Sequence, residues 1–451
     1  MEYNRFKYSE DEREKQLKDY DVITETNSGR TMVNCNRLAD LIQAKYDYYF
    51  MTMRDSDDIY YFDGRCFRRK GDTVIKNLVG SYLKDLSTDH RKNETIGSIR
   101  DRNYYNTNTF EVDLELINLR NGIYNIDTDK LLEHFPGVHF LNYLPVNYKK
   151  NTDCPKFKKF LSEVASKEDI PVIQEFFGYC LYRKYHFHKA LLLYGDGRNG
   201  KSTLLNVLST MLGKENVSAI ELHSLCNERF QTSSLFGKLA NIASEIQDKS
   251  LKASSMFKKL TGGDKDLSAE FKFKDLFKFT NYAKLLFSAN RIPQSEEDTL
   301  AYYSRWILIE FSHIFDDTNK KTNPNLLDKL TTDKELSGIF NWSLIGLKRL
   351  LKKKKFSYKR SVEEVKNIYK SKGDSVYIFC KEFIQPSIFV DYIAKQELYK
   401  RYEKWCIKNN HIIVPPNTFS KLLKKHVPKV EFAKRGHKDE QIPVYSYIKW
   451  K

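Results

Sequence analysis

A chain of 451 residues is longer than one ordinary core can organise, so about three domains are expected. Lys and Arg number 76 against 59 Asp and Glu, and a net charge of +17 calls for a polyanionic partner, either nucleic acid or an anionic membrane face. No stretch is apolar enough to span a membrane and the first residues (MEYNRFKYSEDEREK) lack the apolar core of a signal peptide, which excludes an integral membrane role and favours nucleic acid in a cytoplasmic setting.

Residues 1–59 are charged, with one apolar-periodic stretch at 38–44 and no evident role. From residue 60 the pattern changes: YYFDGRCF (60–67) predicts a hairpin on the Asp63-Gly64 turn, and 74–86 reads as helix. Residues 116–126 and 141–148 read as short strands separated by Asn-Gly and Pro turns. A helical segment opens at Cys154 and another covers 172–182. Between 189 and about 315, strand and helix alternate, as in an α/β nucleotide-binding core. Residues 326–351 read as helix and end in the run Lys352 to Lys355, either a basic, mobile connector or a solvated helix end.

Residues 373–451 read as a separate small domain. It offers a helix at 398–409 carrying Tyr399, Tyr402 and Trp405, and an entry turn at Pro415-Pro416 with Thr418 as N-cap. A basic helix at 419–426 and two short strands near 430–432 and 444–448 complete a winged-helix-like reading. The seven cysteines include no CxxC pair and no zinc spacing, which fits reduced thiols and no structural metal.

Residues 191–203 (LLLYGDGRNGKST) carry the most specific chemistry, the G-x-x-x-x-G-K-[ST] pattern between a buried strand and a helix. Here Gly195, Asp196, Gly197, Arg198, Asn199 and Gly200 form a loop whose backbone N–H groups can close around phosphate oxygens. The helix N-terminus adds its positive dipole end. Lys201 would pair with the β- and γ-phosphates of ATP, Ser202 would ligate Mg²⁺, and Thr203 completes the cradle.

Hydrolysis further needs groups that orient the attacking water. A strand at 239–243 ends in Ser244-Glu245, and Glu245 is the candidate for activating water and assisting Mg²⁺, unless it is a surface charge after a buried strand. A strand at 284–289 ends in Asn290, which can position water and a γ-phosphate oxygen, or can serve as an ordinary turn residue before Pro293. Arg305 stands just before a fourth strand, either as an arginine finger for a neighbouring copy or in an ion pair with Glu310. Between the second and third strands, Phe271 and Phe273 alternate with Lys272 and Lys274. That period of two predicts a hairpin bending near residues 274–275, whose lysines either contact DNA phosphates or form a solvated basic face.

These residues resemble a known family. INLRNGI (117–123), CPKF (154–157), QEFFGYCL (174–181), the P-loop, LTGGD (260–264) and LFSANRIP (286–293) are together similar to superfamily 3 helicases of the poxvirus, phage and plasmid primase–helicase type. The resemblance implies a hexameric AAA+ ring with ATP between subunits. Arg305 of one protomer would then reach the phosphate bound at Lys201 of the next, and Lys272 and Lys274 would track DNA in the central channel. It also implies a helical collar ahead of the P-loop and a winged helix behind it. Two departures stand out. Ser304 replaces the first of two arginines common in relatives, and too few residues precede Asp55-Ser56-Asp57 to build a primase domain around that acidic pair. A separately encoded primase is the expectation.

The expected fold class is therefore α/β: an AAA+ P-loop ATPase core with an N-terminal α+β and helical collar region and a C-terminal winged-helix-like domain. The division is 1–59, a charged segment; 60–185, the α+β and collar domain; 186–350, the ATPase; 351–372, a basic linker; and 373–451, the winged-helix-like domain. The expected function is an ATP-driven replicative DNA helicase of a virus, plasmid or mobile element. One rival is an origin-binding initiator whose ATPase is an assembly switch. A protein-remodelling AAA+ machine is a weaker third reading, because it leaves the charge of +17 without a purpose.

Overall fold

A computed structural model describes residues 9–45, 50–135, 137–244, 255–264, 267–272, 276–290, 292–293, 295, 297–313, 315, 325–388, 391–409, 411, 413–436 and 441–451. The N-terminal part begins with a helix, Glu10–Asp19, whose Ser9 and Glu12 form a capping box, followed by the helix Cys35–Lys45. Strands Phe50–Met53 and Ile59–Phe62 pair antiparallel, so the expected boundary at 59/60 falls inside a strand pair. The hairpin expected at 60–67 is present, with Phe62 opposite Phe67 and Gly64 at φ 89°. One buried cluster joins Leu17, Leu38, Ile42, Phe50, Ile75, Leu78 and Ile99, which ties the first helices to those at Gly71–Leu83 and Asp89–Arg102. The charged segment is thus part of a packed unit.

Strands Leu116–Leu119, Gly122–Asn125 and Lys130–Leu132 form a small antiparallel sheet. Two helices follow, α1 (Pro155–Val164), which starts on a proline that has no N–H to satisfy, and α2 (Ile170–Leu181). The central sheet is parallel. It contains β1 (Ala190–Tyr194), β2 (Val217–Ser218), β3 (Ala240–Ala243), β6 (Lys284–Ala289) and β7 (Trp306–Glu310), in the order β2-β3-β6-β1-β7. Strands β4 (Leu267–Glu270) and β5 (Leu276–Phe279) form a separate antiparallel hairpin between β3 and β6. β1 is buried along its length, as a strand covered on both faces must be, and its run of apolar residues is the sequence sign of that. Helix α3 (Lys201–Leu212) follows β1.

Helix α4 (Asp333–Lys353), capped by the Thr332 hydroxyl, lies against α2. The crossing is close because both helices put a glycine there: a Cβ on Gly178 would stand 2.4 Å from the Ser343 carbonyl, and one on Gly346 would stand 2.3 Å from the Gln174 carbonyl. The buried carboxylate of Glu175 accepts from Arg349 Nε at 2.7 Å and from the Ser357 backbone N–H and hydroxyl at 2.6 Å each, which locks the end of α4 to α2. The lysines at 352–355 end α4, with Lys354 at φ 54° closing it. The expected linker holds helix α5 (Val362–Gly373), whose Tyr369 is buried with Tyr302, Tyr303 and Trp306 of the core.

The last unit has its own core of Val376, Phe379, Leu398, Tyr402, Phe419, Leu423 and Tyr445. Helices Lys395–Lys408 and Pro416–His426 pack with a sheet of Tyr392–Ala394, Ile442–Ser446 and Glu431–Arg435. The second helix starts one turn earlier than expected: Pro415, not Thr418, is its N-cap, because Pro416 presets the first helical φ. All seven cysteines are free. Among the described residues no helix is long and apolar enough to cross a membrane.

Candidate nucleotide site and nucleic-acid interface

The loop after β1 emerges between β6 and β7, at the carboxyl edge where parallel sheets place ligands. Gly195 has φ 141°, and a Cβ there would lie 2.3 Å from the Phe311 carbonyl oxygen. That carbonyl also accepts from Asn199 Nδ2 at 2.8 Å, and the Phe315 N–H donates to the Arg198 carbonyl at 2.9 Å. The loop is therefore laced to the segment that leaves β7. Lys201 opens α3 with Gly200 as N-cap. Its Nζ donates to the Gly195 carbonyl at 2.6 Å, the Asp196 carbonyl at 3.1 Å and Asn199 Oδ1 at 2.9 Å. Burial holds its pKa below the usual lysine range, against the pull of Asp196. Ser202 is exposed on the first turn of α3 and Thr203 is half-buried.

Two other strand ends meet this loop. Asn290, after β6, is exposed and brings Oδ1 to 3.4 Å from Lys201 Nζ. Ser244, after β3, accepts a hydrogen bond on its carbonyl from Ser288 Oγ at 2.5 Å, which fixes the two strand ends side by side. Glu245 lies outside the described residues. The chain thus groups Lys201, Asn290 and Ser244 at one edge, and a glycine-lined cradle closed by a buried lysine and a strand-end amide suits the phosphates of a nucleotide with its Mg²⁺.

Arg305 is at the opposite edge. Its carbonyl accepts from the Ala190 N–H at 2.7 Å, at the very start of β1. Its Nη1 donates to the Ala301 carbonyl at 2.5 Å, while its buried Nε has no hydrogen-bond partner among the described residues. The ion pair with Glu310 is not formed, because Glu310 sits at the far end of β7. There it pairs with Lys372 at 3.1 Å and accepts from the Tyr194 hydroxyl at 3.4 Å. Lys189 donates to the Ser304 carbonyl beside Arg305. Burial holds the pKa values of Lys189 and His188 below their usual ranges, and the charge of Arg305 lowers both further. Burial also depresses Arg305, with Asp264 and Tyr185 opposing.

The expected hairpin is present, and the bend expected near residues 274–275 lies outside the described residues. Ala269 faces Phe277 and Ser268 faces Lys278, so Phe271 and Lys272 lie just past the end of β4, in the connection to β5. Leu267, Ala269 and Phe279 are buried toward the core, whereas Lys272 and Lys278 are exposed. Lys274 lies outside the described residues. Sequence reasoning missed Lys284 at the start of β6. It is fully buried and donates to the Tyr182 and Tyr282 carbonyls at 2.6 Å each. The one sign of it was a lysine abutting an apolar strand.

Comparison with known proteins brackets this site. Residues 37–166 match a family model described as D5 N terminal like, and residues 371–449 match one described as Poxvirus D5 protein-like. Residues 193–305 match a family of unknown function, DUF5906. No curated protein matches the chain. Among solved structures, an A-form apo structure of the NrS-1 C-terminal region is 11% identical over 88% of this chain and 95% of that one, with a TM-score of 0.47. Another apo structure of that region is 12% identical over 89% and 99%, with a TM-score of 0.45. One D5-type family model thus matches ahead of the P-loop and another behind it, so both flanks of the loop are similar to poxvirus D5-like proteins.

Proposed function

We propose that this chain is an ATP-driven DNA helicase that works as a hexameric ring, with each ATP held at a seam between two copies. The observation that carries the reading is the division of the site between two edges of one sheet. Lys201 and Asn290 stand together at the carboxyl edge, whereas Arg305 pairs with the first residue of β1. A five-residue strand spans about 16 Å, too far for Arg305 to touch a phosphate bound at its own Lys201. A finger at that place has work to do only on another copy's nucleotide.

In this reading the loop carbonyls that now hold Lys201 Nζ give it up to the β- and γ-phosphate oxygens. Ser202 would hold Mg²⁺, which would supply charge neutralisation at the phosphates. Glu245 takes up the proton side of water attack and Asn290 orients that water. Arg305 of the adjacent copy stabilises the transition state with its guanidinium. Lys272 and Lys274 contact DNA phosphates from the hairpin turn. The helical region around α1, α2 and α4 acts as the collar, and residues 373–451 act as a winged-helix-like DNA-binding domain. A separate primase supplies the primers.

Subunit mixing tests the seam. Lys201→Ala and Arg305→Ala are each expected to lose DNA-stimulated ATPase activity, yet a mixture restores a site wherever an intact P-loop meets an intact finger, about a quarter of seams in a random ring. If both variants are inactive and their mixture stays inactive, although gel filtration shows them co-assembled, the shared site is wrong.

A further inference from the structure

The hairpin is too small to hold its own position. Two four-residue strands form a marginal unit in water, so whatever touches the hairpin decides where its turn stands. Its base is secured in the main core by Leu267, Ala269 and Phe279. Its turn end leans on another unit altogether. Phe271 stacks on Phe277 with centroids 4.7 Å apart and planes 4° from parallel, and Phe277 stacks on Phe279 at 5.7 Å and 27°. The outer end of this column is covered by Arg69, whose guanidinium carbon lies 3.9 Å from the centre of the Phe271 ring. Phe236 meets Phe277 and Phe279 edge-on and also packs against the N-terminal cluster of Met51, Met53, Tyr60, Phe62 and Phe67.

Arg69 is itself firmly held. It follows the strand Phe67–Arg68, and the chain then turns sharply through Lys70 at φ 71° into Gly71, where a Cβ would lie 2.6 Å from Ile59 Cγ2. Its Nη2 donates to Asp58 Oδ2 at 2.5 Å. A planar guanidinium pinned by a carboxylate can lie flat on a ring in a way that a lysine cannot. Such a contact is strong enough to bias the hairpin and weak enough to give way during a nucleotide cycle.

We propose that Arg69 is a positioning residue for the hairpin: the N-terminal unit sets the stance of the DNA-contacting turn through the stacked column that begins at this guanidinium. The inference rests on the helicase reading for its purpose, but the column can be tested without it. Trypsin cuts after Lys272, Lys274 and Lys278. In the full chain without DNA, Arg69→Ala should speed cleavage at these sites several-fold and leave cleavage at Lys352 to Lys355 unchanged. Phe271→Leu, which keeps apolar bulk and removes the ring, should give the same increase. The double variant should add nothing further, and Arg69→Lys should fall between. Equal rates in wild type and Arg69→Ala, or additive effects in the double variant, would overturn the proposal. In the second arm, Arg69→Ala should keep its DNA-free ATPase rate and displace fewer base pairs per ATP, an uncoupling that a merely unstable fold does not produce. If the wild-type chain displaces no strand, the helicase reading fails and the proteolysis still decides the column.

Discussion

Two buried lysines mark the two ends of the same sheet, and they are held in opposite ways. Lys201, beyond the carboxyl end of β1, donates to two loop carbonyls and one amide oxygen, all within a short glycine-rich loop. Lys284, at the amino end of β6, donates to the Tyr182 and Tyr282 carbonyls and lies over the rings of Tyr179 at 4.4 Å and Tyr185 at 5.5 Å. The acceptors of Lys201 can be exchanged for phosphate oxygens that reach an open edge. Those of Lys284 belong to an enclosed aromatic box and have no competitor. The same side chain is thus a ligand-ready donor at one end and a fixed tie at the other, and the difference lies in what surrounds it. Arg305 shares the Lys284 end, where its Nη1 donates to the Ala301 carbonyl.

The largest expected effects fall on the two groups proposed to meet at a subunit seam. Arg305→Ala should lower kcat about 10³-fold or more while leaving nucleotide affinity nearly intact, whereas Lys201→Ala should lose binding as well. Equilibrium titration with a fluorescent ATP analogue, read beside steady-state kinetics, separates the two. Loss of affinity in Arg305→Ala would place that residue in its own protomer's fold and remove the contrast. Next comes Asn290→Ala, for which kcat should fall about 10²-fold with little change in KM, because the amide positions the attack without holding the nucleotide. An unchanged kcat would return Asn290 to the role of a turn residue. Smaller again is Gly195→Ala. Its Cβ would meet the Phe311 carbonyl at 2.3 Å from an unfavourable φ, so about 2 kcal/mol of stability should go in chemical denaturation. Gly197→Ala, with open space at its Cβ, should cost far less.

How much of this was legible in the sequence depends on how local the cause was. The strand–loop–helix grammar of residues 190–212 is local, because apolar run, glycines and helix start follow one another without a break. The hairpin around Asp63 and Gly64 was legible for the same reason. The strand order β2-β3-β6-β1-β7 was not, since no local pattern states which parallel strands lie side by side. Helix α5 falls inside the expected linker because the run Lys352 to Lys355 ahead of it reads as a connector. Its buried face consists of Val365 and Tyr369 alone, and Tyr369 finds its partner hydroxyl at Tyr302, 67 residues earlier. Arg69 over Phe271 left no trace at all in either segment.

The tie at Lys284 yields the smallest and most specific prediction. Burial pushes its pKa down to about 7 from an ordinary value of 10.5. A depressed lysine binds fewer protons in the folded chain than in the unfolded one throughout that window. The folded state therefore carries the full penalty below about pH 7 and none above about pH 10.5, so this group makes stability rise with pH between the two. The expected slope is about 1 kcal/mol per pH unit near pH 8.5. Other lysines and tyrosines titrate there too, but they are common to wild type and Lys284→Met, and only the difference between the two proteins isolates this site. Denaturation midpoints at pH 7.5, 8.5 and 9.5 should converge on wild type as the pH rises, with Lys284→Met relatively most stable at the lowest pH. If the gap between the two proteins is constant across the range, then Lys284 keeps its charge inside the box, and the rings of Tyr179 and Tyr185 hold an ammonium as firmly as the P-loop carbonyls hold Lys201.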